Sequence, residues 1–318
     1  MNNKWVRFIL ILLFLSGCKS GREERREIRV SGAWALYPMM LVWAEEYGKV
    51  SGVKVEVAGG GAGKGVSDVL SGQVDIGMVS RPIREEEIKE GAFYVAVTKD
   101  AVVATINSKN PIIKEIYKRG LTKEELRKIF MGEIKEWGEI VGKELKDDKI
   151  IIYGRSDASG AAQVWAEFLG NYTQGDCKEK AHANFDGDQA VALAVSREKN
   201  SIGFNNLNYA YNIETGSFAE GIRPVPIDLN ENGTLDPDED FYSNREKFVY
   251  NVSIGKYPSP PARFEYLVSK GPFKGEAKKF VEWILNEGQK FIEESGYIKL
   301  SPEKLQEEIE TLNRGRRK

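Results

Sequence analysis

Short apolar runs rich in β-branched residues alternate along this chain with segments of helical period. Most changes from one to the other fall on glycine, serine or proline. Residues 28–30, 53–57 and 74–79 read as strands, and Pro38 fits the first turn of a helix running to about Tyr47. A helix begins over 66–70, and a polar one starts at Glu85. Residues 93–97 and 101–107 read as two separate strands. Thr122-Lys123-Glu124-Glu125 is a capping box for a helix over 126–130, and further helices are expected over 277–285 and from Ser301-Pro302 onward. Strands alternating with helices predict an α/β fold with largely parallel sheets, whose ligands sit beyond the carboxyl ends of strands.

Three loops occupy that position. In residues 150–163 an apolar run ends in Gly154-Arg155-Ser156, and Ser159-Gly160 opens an amphipathic segment. Unpaired N–H groups and the positive end of a helix dipole at such a turn hold an anion. Arg155 adds a permanently charged planar fork that Asp157 can fix in place, and Ser159 stands at the N-cap. The loops 31–37 and 58–65 repeat the strand-loop-helix pattern. The second is glycine-rich but fits neither nucleotide motif, because Gly65 follows Lys64 where a phosphate loop needs Ser or Thr, and no frame gives G-x-G-x-x-G. Its glycines imply a backbone that approaches something closely.

Composition adds a compartment. Residues 1–17 carry Lys4 and Arg7 before an apolar run and end in Leu15-Ser16-Gly17, directly ahead of Cys18. The run is too short for a permanent span and reads as an export signal, with Cys18 the lipidated first residue of a lipoprotein. Residues 18–27 have no apolar periodicity and read as a tether. The chain holds 46 Lys+Arg against 48 Asp+Glu, net −2; removing 1–17 leaves 44 against 48, net −4. So balanced a surface argues against a nucleic-acid partner. Cys177 is the other cysteine, so no disulfide framework is available after lipidation.

Val74-Asp75-Ile76-Gly77, the run 102–107, Ile129-Phe130-Met131-Gly132 with Trp137, Arg155-Ser156-Asp157-Ala158-Ser159-Gly160, Ser201-Ile202-Gly203-Phe204 and Tyr257-Pro258 come in a characteristic order. In these motifs the chain resembles the phosphate-binding subunit of bacterial ABC-type phosphate importers, a periplasmic binding protein with two lobes and two crossing strands. The resemblance implies one lobe from 28–104 plus 256–318 and another from 105–255, each a mixed sheet flanked by helices with the ligand in the cleft between them. It implies a monomer that delivers an oxyanion, inorganic phosphate first, to a permease at the outer face of the membrane. It also implies ligand-binding positions at Trp34, Ala35, Ala62, Gly63, Ser80, Arg155, Ser159, Gly160 and Ala161. Four of these depart from the family. Trp34 and Ala161 replace threonines, Ala62 a serine, and Ser80 the acid that accepts the phosphate proton. Backbone donors survive those changes, so a sulfate- or molybdate-type oxyanion, or an anion sensor without a transporter, stays open.

Two other features stand apart. Residues 228–239 fit the twelve-residue calcium-loop pattern, with Asp228, Asn230, Asn232, Thr234, Asp236 and Glu239 as ligands and Gly233 at the turn. One structural calcium ion and no organic cofactor are expected. His182 lacks a metal partner at helical spacing, and Ser159 lacks a G-x-S-x-G elbow, so a hydrolase built on Ser159, His182 and Asp157 is the weaker alternative and the protein is expected not to be an enzyme.

Overall fold

A computed structural model describes residues 27–317. The export signal, Cys18 and nearly all of the tether lie outside the described residues.

The strands are β1 (Glu27–Gly32), β2 (Lys54–Gly59), β3 (Ile76–Val79), β4 (Ala92–Asn107), β5 (Leu121–Thr122), β6 (Ile151–Arg155), β7 (Ala183–Phe185), β8 (Ser201–Asn206), β9 (Ile222–Pro224), β10 (Ile227–Asp228) and β11 (Ala262–Lys270). Nine of them form one mixed sheet in the order β2-β1-β3-β11-β4-β8-β6-β7, with β9 also on β4, while β5 and β10 pair apart. Pairing is parallel at both ends of the sheet, β2-β1-β3 and β8-β6-β7. It is antiparallel through the middle, where β11 meets β3 and β4 and where β4 meets β8. Most buried apolar side chains fall into two clusters. One gathers Trp43, Met78, Val95, Leu267 and Phe280, and the other Val103, Phe130, Trp137, Trp165, Phe204 and Phe248. This is a two-lobe α/β fold with the central antiparallel strands running between the lobes.

The largest departure from the sequence reading is β4. The two strands expected at 93–97 and 101–107 are one strand of 16 residues. Thr98-Lys99-Asp100 looks like a polar break, yet its polar groups are satisfied where they stand. The Thr98 hydroxyl donates to Ile298 O at 2.8 Å, the Lys99 N–H and C=O bridge to Ile298, and buried Asp100 faces Arg263 on β11. A buried carboxylate with a cation across the ladder does not end a strand.

The glycine loop departs too. Its helix begins at Ala62, four residues before the expected Val66, because Gly61 supplies the cap with φ +88°. Gly65 then lies inside the helix. A Cβ there would sit 2.5 Å from Met78 O and 3.0 Å from Gly32 Cα, so this glycine permits helix-on-sheet contact rather than loop flexibility. Elsewhere local chemistry decides as expected. Thr122 accepts from Glu125 N at 3.1 Å while Glu125 accepts from Thr122 N at 2.9 Å, and Ser301 caps the helix Pro302–Arg314. No helix among the described residues is long and apolar enough to cross a membrane.

Candidate functional site

Helices Tyr37–Ser51, Ala62–Leu70, Gly160–Leu169 and Gly187–Arg197 all begin around one small closed space between the lobes. The wall atoms meet so closely that no room for a water-sized group is left between them. Trp34, Ala35, Ala62 and Ser80 line it from one lobe, and Arg155, Ser159, Gly160 and Ala161 from the other. Gly61, Asp188 and Asn206 complete the wall.

Gly63 does not line this space. Its N–H donates across the lobes to Ala158 O at 3.1 Å, and Gly61 takes the lining position. The Ser159 hydroxyl accepts from Ala162 N at 3.1 Å, and Gln163 N bonds to Ser159 O. This cap leaves the first two N–H groups of its helix, Gly160 and Ala161, without an intrahelical acceptor at the cavity wall. The lobes meet so closely here that a Cβ on Gly160 would lie 2.2 Å from Ser80 Oγ. Trp34 crosses the same boundary, its indole N–H donating to Asp186 at 3.2 Å. The Tyr297 hydroxyl donates to Ala35 O and so anchors the first loop from the C-terminal segment.

Among the described residues Arg155 is the one cationic side chain in the wall, and it is 1% exposed. Its Nε and Nη2 donate to the two oxygens of Asp157, both at 2.8 Å, and Nη1 donates to Asp188 at 2.7 Å. Burial alone would pull its pKa down, but Asp188 and Asp157 outweigh burial and hold it charged above its ordinary range. Three of its five N–H donors are fixed by protein and two remain.

Asp188 is the feature that sequence reading missed. It stands in the first turn of Gly187–Arg197 with Gly187 at φ +80°, repeating after β7 the strand-Gly-helix pattern seen after β6. That repetition was the available signal. Asp188 accepts from Asn206 N at 2.9 Å and from Asn206 Nδ2 at 2.8 Å. Asn206 Oδ1 in turn accepts from Arg263, whose Nε reaches Glu265 at 3.2 Å and Nη2 reaches Asp100 at 3.4 Å. A continuous buried network therefore joins the cavity to the strands that run between the lobes.

The remaining expectations fare differently. His182 Nδ1 accepts the Ile152 N–H at 3.1 Å, and burial with nearby Lys149 lowers its pKa. Asp157 is committed to Arg155, so Ser159, His182 and Asp157 do not form a relay. In the loop 228–239, Asp228 accepts from Asn232 N and Gly233 N, and Glu239 accepts from Leu229 N and Asn230 N. The Asn230 and Asn232 amides donate to Asp236. Among the described residues no group of three or more His, Cys, Asp or Glu gathers to hold a metal ion, so the calcium expectation finds no support in this structure.

The two-lobe fold is that of a solute-binding protein. Residues 19–287 match the PBP superfamily domain, and the chain belongs to that family. It is 26% identical over 314 residues to the phosphate-binding protein PstS of Xylella fastidiosa strain 9a5c, covering 88% of this chain and 84% of the relative. It is 24% identical over 324 residues to PstS of Bacillus subtilis strain 168, covering 95% and 96%. Among solved structures, an ABC-type phosphate transport receptor from Vibrio cholerae superposes with TM-score 0.61 at 21% identity, over 86% of this chain and all of that one. A Clostridium perfringens structure described as a phosphate ABC transporter substrate-binding protein with bound phosphate gives 0.68 at 22%, with the same coverage. The names of these relatives and structures describe the binding and transport of phosphate.

Proposed function

We propose that this protein captures inorganic phosphate outside the cytoplasmic membrane and delivers it to an ABC importer. The observation that carries this reading is the buried Arg155 fork, which shares the wall of one small polar space between the lobes with the Gly160 and Ala161 N–H groups. Arg155 is outnumbered by Asp157 and Asp188, so attraction cannot rest on net charge. Directed N–H and O–H donors and helix N-termini supply it, in surroundings that exclude water and make each hydrogen bond count. The lobes 28–104 with 256–318 and 105–255 open to admit the ion and close over it as a monomeric clamp, with Trp34 and Gly63 sealing the seam.

Titration calorimetry with phosphate, arsenate, sulfate and molybdate tests the reading directly. Phosphate is expected to bind tightest, and no heat from any of the four would overturn it. Phosphate bound by a chain whose gene lies far from any permease or ATPase gene would favour a sensor over a transport subunit.

Two finer parts rest on sequence. Lipidation at Cys18 would keep the protein at the membrane, so Cys18→Ser should appear in the soluble fraction; retention of that variant on membranes rules the anchor out. Calcium in the loop 228–239 rests on the twelve-residue spacing alone, and its affinity would be about 10⁻⁴ to 10⁻³ M. Millimolar calcium should then raise the melting temperature over that in chelator, and identical melting curves dispose of the idea.

A further inference from the structure

We infer that Asp188 is the proton acceptor that lets this site distinguish phosphate from sulfate, a role resting on the phosphate reading above. Monohydrogen phosphate carries a proton that must be donated to something, and sulfate has none. A carboxylate at the ligand therefore forms a charge-assisted hydrogen bond with the first and is left unpaired against the oxygens of the second.

Ser80 stands where the resemblance places that acid, and a hydroxyl can donate as readily as accept. Asp157 cannot substitute, because both of its oxygens hold Arg155 and it does not line the cavity. Asp188 does line it, and is the one carboxylate there among the described residues. Its side chain is fully buried. An ionised carboxyl has about four acceptor sites. On Oδ2 two are filled, by Arg155 Nη1 and Asn206 Nδ2. On Oδ1 one is filled, by Asn206 N, which leaves one lone pair for the ligand hydroxyl. The network, through Arg155 and Asn206, fixes the carboxyl's position and orientation. No proton leaves the phosphate: its O–H donates to Asp188 and remains bonded to phosphorus oxygen.

The test is the ratio of phosphate to sulfate affinity, measured by calorimetry near neutral pH on wild type, Asp188→Asn and the double variant Asp188→Asn with Ser80→Asp. Wild type should prefer phosphate and arsenate, both protonated, over sulfate and selenate, which are not. Asp188→Asn, whose amide can donate to sulfate, should reduce the preference about 10- to 100-fold. Restoring an acid at position 80 should recover it, which a residue acting only to position Arg155 would not allow. A single variant that weakens phosphate and sulfate equally, or leaves their ratio unchanged, overturns the assignment alone. Wild type binding sulfate as tightly as phosphate also overturns it, with no variant needed. Wild type binding neither anion overturns the phosphate reading and this inference with it.

Discussion

Arg155→Ala is expected to weaken phosphate binding by roughly 30- to 5,000-fold and to destabilise the free protein by about 3–5 kcal/mol, the usual consequence of removing one partner from a buried ion pair. Both effects have the same origin. Arg155 is 1% exposed, and the Asp157 and Asp188 side chains it bridges are 4% and 0% exposed, so its removal strands two carboxylates where water cannot reach them. It also removes the two N–H donors left for the anion. Loss of a buried, hydrogen-bonded charge partner costs about 2–5 kcal/mol of affinity in comparable interfaces, or roughly 30- to 5,000-fold. Arg155→Lys separates the effects. It keeps the charge and part of the stability, but an ammonium cannot hold Asp157 through two parallel bonds while reaching Asp188 and the ligand. Urea unfolding and calorimetry on the three proteins check this, and undiminished phosphate affinity in Arg155→Ala would refute the central part assigned to the guanidinium.

Arg155 and Asp157 were legible because they sit two residues apart on one turn, and a fork held by a neighbouring acid follows from their spacing. Asp188 lies 33 residues from Arg155 and reaches it only because β6 and β7 are parallel neighbours, each feeding a helix at the same edge. The strand-Gly-helix repeat at Asp186-Gly187-Asp188 marks a loop at that edge, but nothing local to it announces the contact with Arg155. The same limit explains β4. Lys99-Asp100 reads as a break until Arg263, 163 residues further on, is placed opposite. Gly61 and Gly63 show a subtler limit. The sequence marks a backbone that approaches something closely, but whether the neighbour is a ligand or Ala158 of the other lobe is decided by how the lobes meet. Elements set by residues within one turn of each other were readable, such as the Thr122 and Ser301 caps. Those completed across the sheet were not.

The cluster on the strands between the lobes should make stability fall as pH rises through the mildly acidic range. Asp100, Arg263 and Glu265 are each at most 2% exposed, so one guanidinium faces two desolvated carboxyls. Burial, only partly opposed by Arg263, pushes the Asp100 pKa up to about 6, and burial with the nearby Asp100 charge raises Glu265 well above the usual carboxylate range. Between the ordinary value near 4 and those raised values the folded state holds more protons than the unfolded chain. The stabilisation is therefore complete below about pH 4 and is lost as pH rises through about 6 for Asp100, and higher for Glu265. Asp100→Asn removes the Asp100 part, so the stability of wild type relative to this variant should decline across that window and then level off. Arg263→Met takes away the guanidinium that faces both carboxyls. It should cost about 3–5 kcal/mol near neutral pH and move the decline to higher pH, because the carboxyls then keep their protons longer. Adding Asp100→Asn and Glu265→Gln to Arg263→Met should recover most of the loss, since no buried charge is then left unpaired. Urea midpoints measured across pH for the four proteins decide the matter. Parallel curves for wild type and Asp100→Asn, or an Arg263→Met protein as stable as wild type, would mean that these groups do not share protons and charge as their burial requires.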